Sequence, residues 1–173
     1  MSEYESFDLA SYFERIKSSP CFICGILEGS DTSHHVIYRN DTAIVFLSKY
    51  PPLYGYTLVA PVLHKEQVTG DFTAEEYRQL QGVVYRVAEA IREELPTERV
   101  YILSLGSRQG NSHVHWHVAA LPPGVPLEQQ QFEALMLTDR GYLKLTEAEM
   151  AELAQRLGRR LAEGDRTVTN DGK

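Results

Sequence analysis

Apolar and polar positions alternate most sharply along His113-Val114-His115-Trp116-His117-Val118. A period of two is the mark of a β-strand, whose successive side chains face opposite sides. Val114, Trp116 and Val118 therefore make a packable face, and three imidazoles share the other. Other short apolar runs predict strands over 35–39 (HVIYR), 42–47 (TAIVFL), 56–60 (YTLVA) and 100–105. Asn40-Asp41 reads as a hairpin turn. The segment 49–55, with Pro51, Pro52 and Gly55, reads as a loop.

Helical spacing appears in three longer places. Residues 7–17 carry a short helical pattern that Pro20 ends. Thr73-Ala74-Glu75-Glu76 is a capping box, and Tyr77, Leu80, Val84, Val87, Ala88 and Ile91 form one stripe that runs out at Leu95-Pro96. A second capping box, Thr146-Glu147-Ala148-Glu149, opens a terminal helix to about residue 161. Residues 127–136, rich in Gln129, Gln130 and Gln131, suggest a further short helix after the proline-bearing stop at 121–126. The pattern predicts an α+β domain: an antiparallel β-sheet of about five strands, one long inserted helix and a C-terminal helical extension. The expected organisation is one domain over 1–173, with its core at 21–120, an extension at 121–162 and a polar, frayed tail at 163–173.

Composition narrows the function. The 173 residues suffice for one buried core, and 43% hydrophobic with 24% charged residues is ordinary for a globular enzyme. A net charge of −7 argues against general nucleic-acid binding, which needs a basic surface. The polar, acidic start has no signal-peptide pattern, and no apolar run approaches the roughly 18 residues of a membrane span. Cys21 and Cys24 alone cannot build a disulfide framework. The expectation is a cytoplasmic protein.

Half of the six histidines lie in the alternating strand. Imidazoles titrate near neutrality and act as ligands, acids, bases or nucleophiles. Neighbours at i and i+2 are about 6.6 Å apart and the outer pair about 13 Å, so three histidines on one strand cannot share one ion with bonds of about 2 Å. That disfavours a three-histidine hydrolytic zinc site. Cys21-x-x-Cys24 has three readings: a redox pair, two inert buried thiols, or half of a zinc site completed by His64 and one triad histidine. His34-His35 is a rival source of the fourth ligand. The glycine-bearing loop Gly106–Ser112, just before the triad, can offer backbone N–H groups and Arg108 to a phosphate.

With these pieces in chain order, the sequence resembles the histidine-triad superfamily of nucleotide hydrolases and transferases. The resemblance rests on Cys21-Phe22-Ile23-Cys24-Gly25-Ile26, Tyr38-Arg39-Asn40-Asp41, Phe46-Leu47-Ser48-Lys49-Tyr50-Pro51, Gly55-Tyr56-Thr57-Leu58-Val59-Ala60-Pro61 with His64, and the triad itself. Lys49-Tyr50-Pro51 is similar to the branch of diadenosine tetraphosphate hydrolases and phosphorylases. The resemblance implies a homodimer acting on a nucleotide. His115 would attack the α-phosphorus and His117 would meet the phosphate and leaving group. Gln109, Gly110, Asn111 and Ser112 would bind phosphate oxygens. Phe22, Ile23, Ile26 and Phe46 would line the base pocket, with Ser48 at the ribose. Cys21, Cys24, His64 and His113 would hold a structural zinc.

Three positions depart from the family pattern. Tyr56 stands where a histidine usually supports the nucleophile, Ser48 where Asp or Asn usually holds the ribose, and Ser104 is the nearest counterpart of a phosphate-side amide. A zinc-tied nucleotide-binding module with little turnover is the alternative expectation these departures raise. The extension beyond residue 121 is expected to cover the site or to form a dimer contact.

Overall fold

The computed structural model describes residues 3–135 and 140–168. A five-stranded antiparallel sheet is its centre, built from β2 (Val36–Arg39), β3 (Ala43–Leu47), β4 (Thr57–Pro61), β5 (Arg99–Leu103) and β6 (Trp116–Leu121) in the order β2-β3-β4-β6-β5. The β2–β3 turn forms where predicted, because the Asn40 side-chain oxygen accepts the N–H groups of Thr42 (2.9 Å) and Ala43 (2.8 Å). In β3 the alternation splits cleanly between the two faces of the sheet. Ala43, Val45 and Leu47 join one core cluster, while Ile44 and Phe46 join the other.

The first cluster lies under α3 (Ala74–Glu94). Thr73 and Glu76 cap α3 reciprocally at 3.2 and 2.7 Å, and the helix stops before Pro96, which has no N–H to continue it. Trp116, Val118 and Ala120 of β6 bury against this side, and Phe72 and Tyr77 meet the Trp116 ring edge-on.

The extension adds to the core. Its terminal helix, α5 (Glu147–Val168), packs Leu153, Leu157 and Leu161 into the same cluster, on the face of the sheet away from the triad histidines. Arg156 and Arg160 both hold Glu94 of α3, at 2.7 and 2.9 Å. A Cβ on Gly158 would stand 3.0 Å from the Ile37 carbonyl, so this glycine lets α5 approach β2 closely. The helix also runs past residue 161 to Val168, into the segment expected to fray. The short helix α4 (Gln130–Leu135) starts three residues later than expected, and Met136 lies outside the described residues.

Three elements were not anticipated. The strands β1 (Tyr4–Glu5) and β7 (Tyr142–Leu143) pair as a separate ribbon. The helix α2 (Phe22–Glu28) forms across the cysteine segment and buries Ile23 and Ile26 against the second face of the sheet. The expected first helix, α1 (Leu9–Ser18), has no fully buried residue and is pinned by contacts described below. Among the described residues, no helix is long and apolar enough to cross a membrane.

Candidate active site and metal cluster

Pro20 separates α1 from α2 and leaves Cys21 as the N-cap of α2, where its sulfur accepts the Cys24 N–H at 3.5 Å. The pair thus sits at a helix start, as redox cysteines do, but the helix leads from α1 and not from a parallel strand. What surrounds the thiols decides between the three readings. His113 Nδ1 lies 3.5 Å from Cys21 Sγ and 3.7 Å from Cys24 Sγ, and His64 Nδ1 lies 3.3 Å from Cys24 Sγ. All four ligand atoms fall within 4.8 Å of one another. Tetrahedral zinc with bonds of about 2.0–2.3 Å sets neighbouring ligand atoms about 3.3–3.8 Å apart, so this donor set fits a metal ion.

The outer ring nitrogens agree. His113 Nε2 donates to the Pro61 carbonyl at 2.9 Å and His64 Nε2 faces the Glu66 carboxylate at 3.4 Å, which leaves both Nδ1 lone pairs aimed inward. Burial pushes the His113 imidazole down to about 4, against the pull of the Pro61 carbonyl. Burial and the neighbouring Cys21 thiol push Cys24 up to about 11. A neutral imidazole beside two crowded thiols is an arrangement that a cation completes. The rival histidines point elsewhere: His34 Nδ1 lies 3.2 Å from an Asp31 carboxylate oxygen, and His35 Nε2 lies 3.0 Å from one of Glu147.

The triad is less regular than the alternation implies. β6 begins only at Trp116, and His113–His115 form an extended lead-in whose Val114 N–H donates to the Lys65 carbonyl at 2.7 Å. The facing nevertheless holds. His115 and His117 turn toward the face of α2, where the His115 ring meets Phe22 edge-on at 6.2 Å and the two imidazoles lie 4.9 Å apart.

His115 is 4% exposed, and its Nδ1 lies 2.7 Å from the His113 carbonyl. A carbonyl only accepts, so Nδ1 carries the proton and Nε2 keeps its lone pair. Burial holds this imidazole below its ordinary range, hence neutral at pH 7. Ser104 Oγ donates to the His115 carbonyl at 2.8 Å. Its hydroxyl proton is thus committed to holding the lead-in, and not turned toward a phosphate. His117 packs against the Tyr56 ring at 5.5 Å, and neither of its ring nitrogens has a hydrogen-bond partner among the described residues. Burial pushes it down to about 3. Tyr56 is itself buried, which drives its phenol far above the usual range, so it stays protonated.

Phe22, which the His115 ring meets, also lines a cleft of about 550 Å³ between α1, the start of α2 and the Arg108–Ser112 loop; His115 and His117 are not among its lining residues. Gln109, Gly110, Asn111 and Ser112 all line it, with Phe22 opposite. The other expected base-pocket residues lie deeper. Ile23 and Phe46 have no exposed surface and Ile26 has 7%, so they back Phe22 and present no face of their own. Ser48 Oγ accepts the Tyr50 N–H at 3.3 Å.

The sequence reading gave several residues here no part in the cleft or its support. His34 lines the cleft and stacks near Phe22 with ring centres 5.6 Å apart. Glu66 bonds both His64 and the Ser112 hydroxyl, contacts that hold its carboxyl below the usual range. It links the Cys/His cluster to the Gly106–Ser112 loop. Tyr12 of α1 accepts from Asn111 Nδ2 at 2.7 Å, and a Cβ on Gly110 would stand 2.9 Å from Ile16. Nothing in local sequence pairs Tyr12 with Asn111, 99 positions away. The Glu66 spacing, two residues after His64, was the one local signal available.

A compact antiparallel sheet carrying a neutral, lone-pair-bearing histidine beside an N–H-rich loop defines a histidine-triad type of protein. The HIT domain model matches residues 30–123, and this chain belongs to that family. An uncharacterized HIT-like protein of Saccharolobus solfataricus is 31% identical over 101 residues, covering 57% of this chain and 71% of that protein. One from Mycoplasma genitalium is 32% identical over 113 residues, covering 63% and 77%. Among solved structures, a hypothetical histidine triad nucleotide-binding protein from Sulfolobus tokodaii superposes with a TM-score of 0.68 at 19% identity, over 86% of this chain and 96% of that one. A Zn-bound histidine triad family protein from Mycobacterium smegmatis gives 0.65 at 25% identity, over 85% and 96%.

Proposed function

We propose that this protein is a nucleotide hydrolase or nucleotidyltransferase that works through a covalent nucleotidyl-His115 intermediate. The observation that carries this reading is the 2.7 Å bond from His115 Nδ1 to the His113 carbonyl, which fixes a buried neutral ring with Nε2 free to attack. The lone pair on Nε2 forms the N–P bond to the α-phosphorus as the bond to the leaving group breaks. In the Gln109–Ser112 loop the Gln109 and Gly110 N–H groups donate to Ser107, at 3.1 Å each, and hold the turn, so the Asn111 and Ser112 N–H groups receive the charge that builds on the phosphate oxygens. His117, whose two ring nitrogens have no partner among the described residues, donates its one N–H to the phosphate or leaving group. Water or another acceptor then takes the nucleotidyl group from His115. The base rests on Phe22, backed by Phe46, Ile23 and Ile26, with Ser48 near the ribose.

Cys21, Cys24, His64 and His113 would hold zinc, whose closed four-ligand shell is structural and would tie the lead-in of the triad to α2. The Zn-bound relative from Mycobacterium smegmatis supports that choice of metal. The exposed edge of β5, with Ile102 49% and neighbouring Leu105 48% exposed, suits a homodimer.

The test is incubation with labelled diadenosine polyphosphates and adenosine phosphoramidate. The expected result is an acid-labile, base-stable adduct that His115→Ala abolishes. Tight nucleotide binding with neither adduct nor turnover would replace this reading with a binding module, as Tyr56 behind the centre would allow. Metal analysis of chelator-free protein should find zinc, and less than about half an equivalent would count against the site.

A further inference from the structure

The cleft lined by Phe22, which the His115 ring meets, and by the Gln109–Ser112 loop has a charge opposite to that of the chain. The protein carries 24 acidic and 17 basic residues, yet among the described residues the cleft is lined by Arg15, Lys17, Lys49 and Arg108 and by no Asp or Glu, with Glu66 reaching only the Ser112 hydroxyl. Two of these cations come from α1, which lies outside the segment matched by the family. The position of α1 is set by the phosphate loop itself, through Tyr12 on Asn111 and Ile16 on Gly110. The helix therefore carries Arg15 and Lys17 to the wall of the same cleft that Gln109–Ser112 line. Lys17 also pairs with Glu14 at 2.7 Å, an exposed contact that an incoming polyanion can displace.

We propose that α1 builds a subsite for the distal phosphates of the leaving group, with Arg15 and Lys17 selecting a phosphoanhydride substrate over a phosphoramidate. This rests on the nucleotidyl-His115 reading and adds the class of leaving group. When His115 Nε2 bonds to the α-phosphorus, the P–O bond to the bridging oxygen breaks and its electron pair leaves on a terminal phosphate. That anion is stable at neutral pH without a proton, and nearby cations spread its charge. An amine leaving from a P–N bond must instead be protonated. The buried His117, held neutral before substrate binds, suits the first case better. Four cations around one cleft also focus polyanions in an otherwise acidic protein, with an ionic-strength dependence that neutral leaving groups would lack.

The experiment compares wild type with the Arg15→Gln/Lys17→Gln variant. The readouts are kcat/KM on diadenosine tetraphosphate, kcat/KM on adenosine phosphoramidate, and calorimetric binding of inorganic tripolyphosphate. The expected result is at least a tenfold loss on the tetraphosphate, a change under twofold on the phosphoramidate, and weakened tripolyphosphate binding. An Arg15→Lys/Lys17→Arg variant, which keeps both charges, should restore most of the loss. Equal losses on both substrates, no loss on the tetraphosphate, or unchanged tripolyphosphate binding would overturn the subsite. If neither substrate turns over in wild type, the covalent reading fails, and the tripolyphosphate titration still decides whether α1 binds phosphates.

Discussion

Replacing His117 by glutamine removes a group that the fold forces to stay neutral, and this should make the protein more resistant to acid. In the folded chain burial pushes His117 down to about 3, whereas an unfolded histidine titrates near 6.5. Below about pH 6.5 the unfolded state therefore binds a proton that the folded state refuses, and stability falls as pH drops through the window from 6.5 toward 3. Between pH 7 and pH 5 this one residue should cost about 2 kcal/mol. The figure depends almost wholly on the unfolded value, because at pH 5 the folded group is neutral whether it titrates near 3 or near 4. For a domain of this size it corresponds to a difference of roughly 4–8 °C in Tm. The assay is urea or thermal unfolding of wild type and His117→Gln at both pH values. Wild type should lose about 2 kcal/mol more than the variant over this interval. Equal losses would mean that His117 is not desolvated in the folded state, and would remove the reason for treating it as neutral in the site.

Other expectations follow from the same geometry. Glu66→Gln weakens the carboxylate's hold on His64 and Ser112, and should lower metal affinity about 10–100-fold in a competition titration with a chelator. Gly110→Ala drives a methyl group against Ile16 and should destabilise the protein by about 1–3 kcal/mol. Ile16→Ala should restore most of that in the double variant, and additive losses in denaturant unfolding would refute the contact. Ser104→Ala strips the hydroxyl from the His115 carbonyl, so kcat should fall while metal content stays unchanged. An unaltered kcat would show that the lead-in needs no such support.

The sequence by itself determined most of the sheet and one long helix, because those signals are local. The alternation at 42–47 and 56–60, the Asn40 turn and the Thr73 capping box each place their determinants within a few residues of one another. It also sorted His113, His115 and His117 from Val114, Trp116 and Val118, since the facing of an extended chain follows from its period. The four metal-cluster residues could be named in advance only through family resemblance. Spacing alone left His34, His35 and His64 as competitors, and only the sheet, by placing Pro61 and the lead-in side by side, brought His64 and His113 to the same thiols. The two-residue ribbon β1–β7 and the contact of Tyr12 with Asn111 join positions about a hundred or more apart. Contacts of such long range leave no period or cap in the chain. The same is true of the terminal helix. Its apolar stripe was readable, but which surface it would cover depended on the groove that α3 and the sheet leave open, and the folded structure filled that groove on the side away from the histidines.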